Sequence, residues 1–176
     1  MRKHHITFVI LLLLSGASLA AQHPTMPPGM SHEEHLRQLQ KDQALKQRGA
    51  EAMGFDQDQA DHHFLLRPDG GEIIVTAKAA DDAKTIGEIR SHFHEIAESF
   101  AAGVFEKPLA THDEMPPGAT TLAANKSRVR YTYQERPAGA SVVIATDDSA
   151  TVAAIHDFLR YQIVEHKTGD PLILKP

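Results

Sequence analysis

The sequence contains no cysteine and no tryptophan, and aromatic residues make up only 6% of its 176 residues. The absence of cysteine excludes disulfide bonds, thiolate-ligated zinc, iron–sulfur clusters and thiol catalysis. The scarcity of aromatic side chains predicts a core built mainly from aliphatic residues. Basic residues are in the minority, with 18 Lys and Arg against 23 Asp and Glu, a formal net charge of -5. Because nucleic-acid-binding proteins carry a basic excess, we expect no nucleic-acid partner.

The first twenty residues have the organisation of a secretory signal peptide. A basic start at residues 2–5 precedes a nine-residue apolar run from Ile6 to Leu14, and small residues follow up to Ala20. This run is shorter than the about 20 residues that a transmembrane helix needs. We therefore expect cleavage after Ala20 or Ala21, a periplasmic or secreted bacterial protein, and no transmembrane anchor after cleavage. An uncleaved anchor is the alternative.

A flexible arm and a charged helix follow the predicted signal peptide. Residues 21–30 form the arm, which is rich in proline and methionine. Residues 31–54 hold a charged helix and a linker, and Ser31 with Glu34 predicts a capping box at the helix start. The apolar stripe of this helix, which includes Leu36 and Leu39, is thin. We expect the helix to pack loosely, or to bury its leucines against a partner.

An internal repeat is the strongest structural signal in the chain. The segment RPDGGEIIVT at 67–76 recurs as RPAGASVVIA at 136–145. Each copy reads as a hairpin, because a Pro/Gly turn separates two strand-like runs. Each hairpin leads to a pair of aspartates suited to a helix N-cap, and then to an amphipathic helix. The first ββα unit spans 55–103 and the second spans 128–176.

Two such units predict an α+β fold. With 41% hydrophobic residues, they can form a four-stranded, mainly antiparallel sheet with both helices on one face. The opposite sheet face would be open to solvent or form a dimer interface. Residues 104–127 are predicted as an inter-repeat loop, and loops of this length often carry function.

The segment GFDQ at 54–57 followed by HHF at 62–64, and the closing segments FLRYQI at 158–163 and EHKTGD at 165–170, form two distinctive phrases. They resemble a group of small exported bacterial proteins of unknown function. The resemblance covers most of the chain after the predicted signal peptide. It implies export and a common fold, and it brings no catalytic residues.

Histidine and methionine recur in a pattern suited to metal binding. The motif His-x-x-Met-Pro-Pro-Gly occurs at 23–29 and again at 112–118. Imidazole suits copper, zinc and nickel, and a thioether selects Cu(I). We therefore predict a soft-metal site, with copper as the candidate ion. The candidate ligands are His23, Met26, Met30, His32, His35, His112 and Met115.

The other histidines are predicted to have structural roles. His62 is in phase with Phe64 and should face the core, whereas His63 should face the open side of the sheet. His92 and His94 lie on different faces of a helix and should not share an ion. His156 and His166 lie near the core stripe of the second helix, and we expect both to be structural.

Three functional hypotheses follow from these patterns. The first is a periplasmic metal-handling protein that uses the His/Met motifs. The second is a non-catalytic module for interaction with a periplasmic protein or for homodimerisation. The third is an enzyme with a site near the inter-repeat loop. The chain has no nucleophile elbow, zinc-protease motif or phosphate-binding glycine loop, so we assign no catalytic residue and favour a role other than catalysis.

Overall fold

A computed structural model describes residues 27–174 of the chain. The predicted signal peptide at 1–20 and most of the predicted arm therefore lie outside the described residues. Short 3-10 turns occupy Gln57–Gln59 and Lys126–Arg128. The main elements, in chain order, are α1 (His32–Met53), β1 (Ala60–Arg67), β2 (Gly70–Ala77), α2 (Ala83–Ala101), α3 (Glu106–His112), α4 (Ala119–Ala124), β3 (Arg130–Arg136), β4 (Gly139–Ala145) and α5 (Ser149–Glu165).

The four strands form one antiparallel sheet with the order β1-β2-β4-β3. Each repeat contributes one hairpin, and the repeats meet where β2 pairs with β4, for example at Ile74 and Ser141. This arrangement confirms the predicted α+β fold with a four-stranded antiparallel sheet, two repeat helices on one face and a preceding helix. The two repeats are related by an approximate two-fold axis between β2 and β4.

Each repeat helix packs across onto the other repeat. From α2, Arg90 donates through its guanidinium to the Arg136 carbonyl at 2.9 Å. From α5, His156 donates through Nε2 to the Arg67 carbonyl at 2.9 Å. Arg90 and His156 are equivalent positions of the repeat, as are Arg67 and Arg136. The two units therefore interlock and share one core.

The core lies between the sheet and the two repeat helices. Alternate residues of β2 and β4 face it, as the period of a strand requires. Gly71 leaves room for Leu159 of α5 to pack on the sheet, because a Cβ atom there would be 2.1 Å from Leu159 Cδ1. The side chains buried deepest at the centre of this core are Val75, Ile89, Phe93, Phe100, Val142, Ile144, Ile155, Phe158 and Leu159.

Helix caps confirm several local predictions. Asp82 accepts a hydrogen bond from the Thr85 amide at 3.1 Å, and Asp148 accepts one from the Thr151 amide at 2.7 Å. The α5 helix ends at Glu165, and Lys167, with φ 53°, makes the left-handed turn after it.

The helix α1 is anchored to the domain through its second half. Its capping box at Ser31 and Glu34 is present as predicted. The helix occupies almost all of the stretch predicted to hold a helix and a linker, because it runs to Met53, and Gly54 ends it in the left-handed conformation with φ 80°. Leu45 is buried, whereas Leu36 in the first half is 45% exposed. The loose packing predicted for this helix therefore holds for its first half.

Residues 104–127, predicted as a loop, contain the short helices α3 and α4. Neither is long enough to show a helical period in the sequence. Pro108 is the third residue of α3, a first-turn position at which a helix tolerates a missing amide hydrogen. Phe105, just before α3, stacks on Phe100 with ring centroids 4.4 Å apart. This contact ties the segment to the core.

Ionic contacts fix α1 against the end of α5. Lys41 pairs with Glu165 at 3.3 Å, and Lys167 pairs with Asp42.

Between residues 27 and 174, none of the helices has both the length and the apolar character needed to cross a bilayer.

Candidate functional site

Four histidines from four different elements surround one cavity of about 60 Å³. We call His62, His92, His112 and His166 the histidine cluster. The ring centroids of His62 and His166 are 5.6 Å apart, and those of His112 and His166 are 5.2 Å apart. Phe55 connects His92 to the other three, because its ring centroid is 6.0 Å from that of His62 and 5.9 Å from that of His92. The cluster is therefore continuous from β1 to α2 and α3.

Strand and helix periodicity direct two members of the cluster inward. His62 lies on β1 in phase with the buried Ala60 and Phe64. His92 lies on the buried stripe of α2, between Ile89 and Ile96. The prediction that His62 faces the core is confirmed.

The segment after α5 positions His166. His166 is the C-cap residue of α5, and Asp170 follows four residues later. The Asp170 carboxylate accepts a hydrogen bond from the Phe64 amide at 2.9 Å and contacts His63 Nδ1 at 3.0 Å. These bonds attach the segment to the edge strand β1 and hold the His166 ring beside His62. His63 is exposed on the opposite face, as predicted.

A hydrogen bond from α5 orients His112. Its Nε2 lies 2.9 Å from Gln162 Oε1. Because an amide oxygen only accepts, Nε2 carries the proton and Nδ1 keeps its lone pair. The neighbouring Tyr161 packs edge-on against the His112 ring and donates to Glu114 at 2.7 Å. Gln162 thus fixes the tautomer that leaves Nδ1 free as a ligand.

Unpartnered polar atoms concentrate at this cavity. His62 Nε2, His92 Nδ1, His112 Nδ1 and Gln162 Nε2 are buried and have no hydrogen-bond partner within residues 27–174. All four residues line the cavity. Most buried polar atoms in proteins have a partner, so each exception calls for an explanation such as a bound water, an ion or a functional role.

The cluster is neutral at physiological pH. Burial lowers the pKa of His62 to about 4 and that of His92 to about 4, and the Lys107 charge adds to the effect on His92. Burial lowers the pKa of His166 to about 3, and it also lowers the pKa of His112. A neutral imidazole retains a lone pair, so the rings can act as ligands without first losing a proton.

The rest of the cavity wall is mainly apolar. Lys107 is the one charged side chain among the described lining residues, and its ammonium donates to Glu95 at 2.9 Å and to the Ala52 carbonyl at 3.2 Å. Met53, in the last turn of α1, adds a thioether. The other lining residues are Phe64, Ile73, Val75, Phe93, Ile96, Phe100, Pro108, Thr111 and Phe158.

The predicted metal ligands fall into three groups: two precede the described residues, three lie at the start of α1, and two belong to the second His-x-x-Met motif. His23 and Met26 are outside the described residues. Met30 and His35 are half-buried and His32 is exposed, all at the start of α1 and away from the cavity.

The second His-x-x-Met motif is divided by the fold. His112 is buried in the cluster, whereas Met115 is 44% exposed. Asp113 between them adopts a left-handed conformation with φ 60°. The structure therefore brings His112 together with His62, His92 and His166, and it leaves Met115 in solvent.

As the side chains stand, no three His, Asp or Glu residues of the described chain form a ready-made metal-ligand group. Sequence reasoning treated His62, His92 and His166 as separate structural residues. The signal that could have joined them is their shared phase with the apolar positions of β1, α2 and α5.

Comparisons of the chain with protein-family models, with curated proteins and with solved structures find no match. The functional argument therefore depends on the chemistry of the histidine cluster.

Proposed function

We propose that this protein binds a transition-metal ion, with copper as the first candidate, and that the histidine cluster is the site. The observation that carries the proposal is the set of three unpartnered imidazole nitrogens, on His62, His92 and His112, around one cavity. Neutral imidazole is the commonest protein ligand for copper, zinc and nickel. Together with the predicted export, this indicates a metal-handling role outside the cytoplasm.

The spacing of the rings supports a shared ion. Two imidazoles on one tetrahedral ion have centroids about 5 Å apart, since metal–nitrogen distances are about 2.0–2.1 Å. The separations of 5.2 Å and 5.6 Å to His166 are close to this value. The His62 and His166 rings are nearly parallel, at 9°, so at least one ring must rotate to direct a lone pair at the same ion.

The cavity has room for this rearrangement. A volume of about 60 Å³ exceeds the roughly 10–15 Å³ that one water needs on the same kind of measure. An ion with a small additional ligand therefore fits once the rings turn. The competing interpretation is that ordered waters satisfy the three nitrogens and the cluster is purely structural.

A titration of the purified protein with Cu(I), Zn(II) and Co(II) tests the proposal. We expect one equivalent of metal to bind to the wild type. A His92→Phe/His166→Phe variant should bind that metal more than about 100-fold more weakly, because even outer-shell partners contribute about 10–100-fold. Tetrahedral Co(II) bound to imidazole would also show visible absorption that this variant lacks.

The matched control is His32→Gln/His35→Gln, which changes two histidines of α1 outside the cavity. We expect this control to bind metal as the wild type does. Equal metal affinity in the cluster variant and the wild type, or loss of binding in the control alone, would contradict the assignment and favour the predicted His/Met motif of the arm.

A further inference from the structure

We propose that the histidine cluster is selective for the oxidation state of the metal, and that it prefers the soft monovalent ion Cu(I) to divalent ions. This inference rests on the proposed function, since it assumes that the cluster binds a metal. Two features of the cavity carry it: the charge of its wall and the presence of a thioether.

The wall of the cavity offers no negative charge to offset a metal ion. No aspartate or glutamate occurs among its lining residues in the described part of the chain, and every candidate donor atom is neutral. The one charged side chain at the wall, Lys107, is paired with Glu95, which lies outside the lining, so this ion pair adds no net negative charge. Because the cost of moving an ion out of water grows with the square of its charge, a divalent ion meets about four times the desolvation cost of a monovalent one.

Met53 supplies the soft donor. Its side chain lines the cavity together with all four histidines. Thioethers bind Cu(I) in preference to harder divalent ions, whereas carboxylates favour the harder ions. With no cysteine in the chain, Met53 is the one sulfur-containing residue among the described lining residues.

Gln162 provides a position at which the charge can be changed at constant shape. It is buried, lines the cavity and holds His112 through Oε1. Gln162→Glu keeps an oxygen acceptor for His112 and introduces one negative charge beside the site. If charge sets the preference, this substitution should improve divalent binding relative to Cu(I).

The experiment measures Cu(I) affinity anaerobically against a chromogenic Cu(I) chelator, and Zn(II) and Co(II) affinities by direct titration. For the wild type we expect Cu(I) to bind at least 100-fold more tightly than either divalent ion. Met53→Leu should weaken Cu(I) at least tenfold and leave Zn(II) within twofold. Gln162→Glu should narrow the Cu(I)/Zn(II) affinity ratio at least tenfold. Met115→Leu alters the exposed methionine of the second His-x-x-Met motif and leaves the cavity unchanged. It should change neither affinity, and a weakened Cu(I) affinity in this variant would overturn the assignment of the thioether to Met53.

The outcomes separate this inference from the proposed function. Zn(II) or Co(II) binding at the cluster as tightly as Cu(I) would overturn the selectivity and leave the metal site standing. An unchanged Cu(I) affinity in Met53→Leu would overturn the role of the thioether. Failure of all three ions to bind, or full Cu(I) affinity in the His92→Phe/His166→Phe variant, would overturn both proposals.

Discussion

Three positions that carry histidine at the cavity are related by the two-fold repeat to positions that carry aromatic residues. We call the first set of positions the histidine half of the core and the second set the aromatic half. The repeat relates His62 to Tyr131, His92 to Phe158 and His166 to Phe100. These aromatic residues form a cluster of their own. The ring of Phe100 lies 5.8 Å from that of Tyr131 and 6.0 Å from that of Phe158, and Phe105 stacks on it at 4.4 Å.

The difference between the halves shows that packing alone does not require histidine at these positions. The aromatic half fills the same scaffold, and its single buried polar atom without a partner among residues 27–174 is the Tyr131 hydroxyl. The histidine half has three unpartnered ring nitrogens, and they lie at a cavity to whose wall Phe100 and Phe158 contribute from the aromatic half. A scaffold that can be filled by Phe and Tyr is thus used in one half to hold polar groups at a cost in stability.

The largest expected difference between the halves is in their response to acid. The folded-state pKa is lowered to about 4 for His62 and His92 and to about 3 for His166, from an ordinary value of 6.5. Between these limits the unfolded chain binds more protons, so the free energy of unfolding should fall as pH falls from about 6.5 to about 4. For His62 alone the loss is about 3 kcal/mol.

Denaturant unfolding of metal-free protein at a series of pH values measures this loss. The variant His62→Tyr/His92→Phe/His166→Phe gives the cluster the residues of the other half. Its stability should fall less across that range, because His112 is then the one member of the cluster left with a lowered pKa. His92→Phe alone should remove part of the dependence, which keeps the test usable if the triple variant folds poorly. Parallel pH curves for wild type and variants would show that these histidines are not the acid-sensitive groups.

The features predictable from the sequence were those encoded locally. The turns at 68–70 and 137–139, the apolar runs of β2 and β4 and the stripes of α2 and α5 are each visible within one segment. The hairpins, the antiparallel sheet and the helix caps therefore follow from periodicity and turn chemistry. The helices α3 and α4 escaped prediction because seven and six residues are too few to show a period.

The site was less predictable because its residues meet through tertiary packing. His62 and His166 come together only because α5 packs across onto the hairpin of the other repeat, a choice that no local pattern specifies. His112 joins them because α3 folds over the same end of the core. Metal ligation by Met30, His32, His35 or Met115 stays a prediction, and the structure places all four outside the cavity.

A second way to test the comparison is to place a histidine in the aromatic half. Phe158 is 1% exposed and contacts Phe100 and Phe105. Phe158→His should destabilise the protein by about 3 kcal/mol, because it removes packed hydrocarbon and buries a polar ring. It should also steepen the loss of stability below pH 6.5.

Phe158→Leu is the matched control for this substitution. It reduces the side-chain volume without adding a polar atom, so it should cost less than Phe158→His, about 1–2 kcal/mol, and leave the pH dependence unchanged. The measurement is again denaturant unfolding at pH 7 and pH 5. Equal destabilisation by His and Leu at both pH values would mean that the aromatic half tolerates a polar ring as the histidine half does.

The smallest expected effect comes from the hydrogen bonds that the helix of each repeat makes to the hairpin of the other repeat. Arg90 and His156 occupy equivalent positions, and each donates to the carbonyl at the end of the other repeat's first strand. His156→Ala should lower the free energy of unfolding by about 1 kcal/mol, the usual contribution of one hydrogen bond. Arg90→Ala should cost slightly more, about 1–2 kcal/mol, because Arg90 also donates to the Gly139 carbonyl at 3.3 Å and pairs with Glu135 at 3.6 Å. Because the repeats share one core, each variant should still unfold in a single transition. Fluorescence of the three tyrosines, all of which lie in the second repeat, and circular dichroism of the helices should change together. Two separate transitions in either variant would show that the repeats are independent units joined by these bonds. The packing of each helix onto the other repeat, which assembles the histidine cluster, would then depend on Arg90 and His156 far more than the usual contribution of their hydrogen bonds implies.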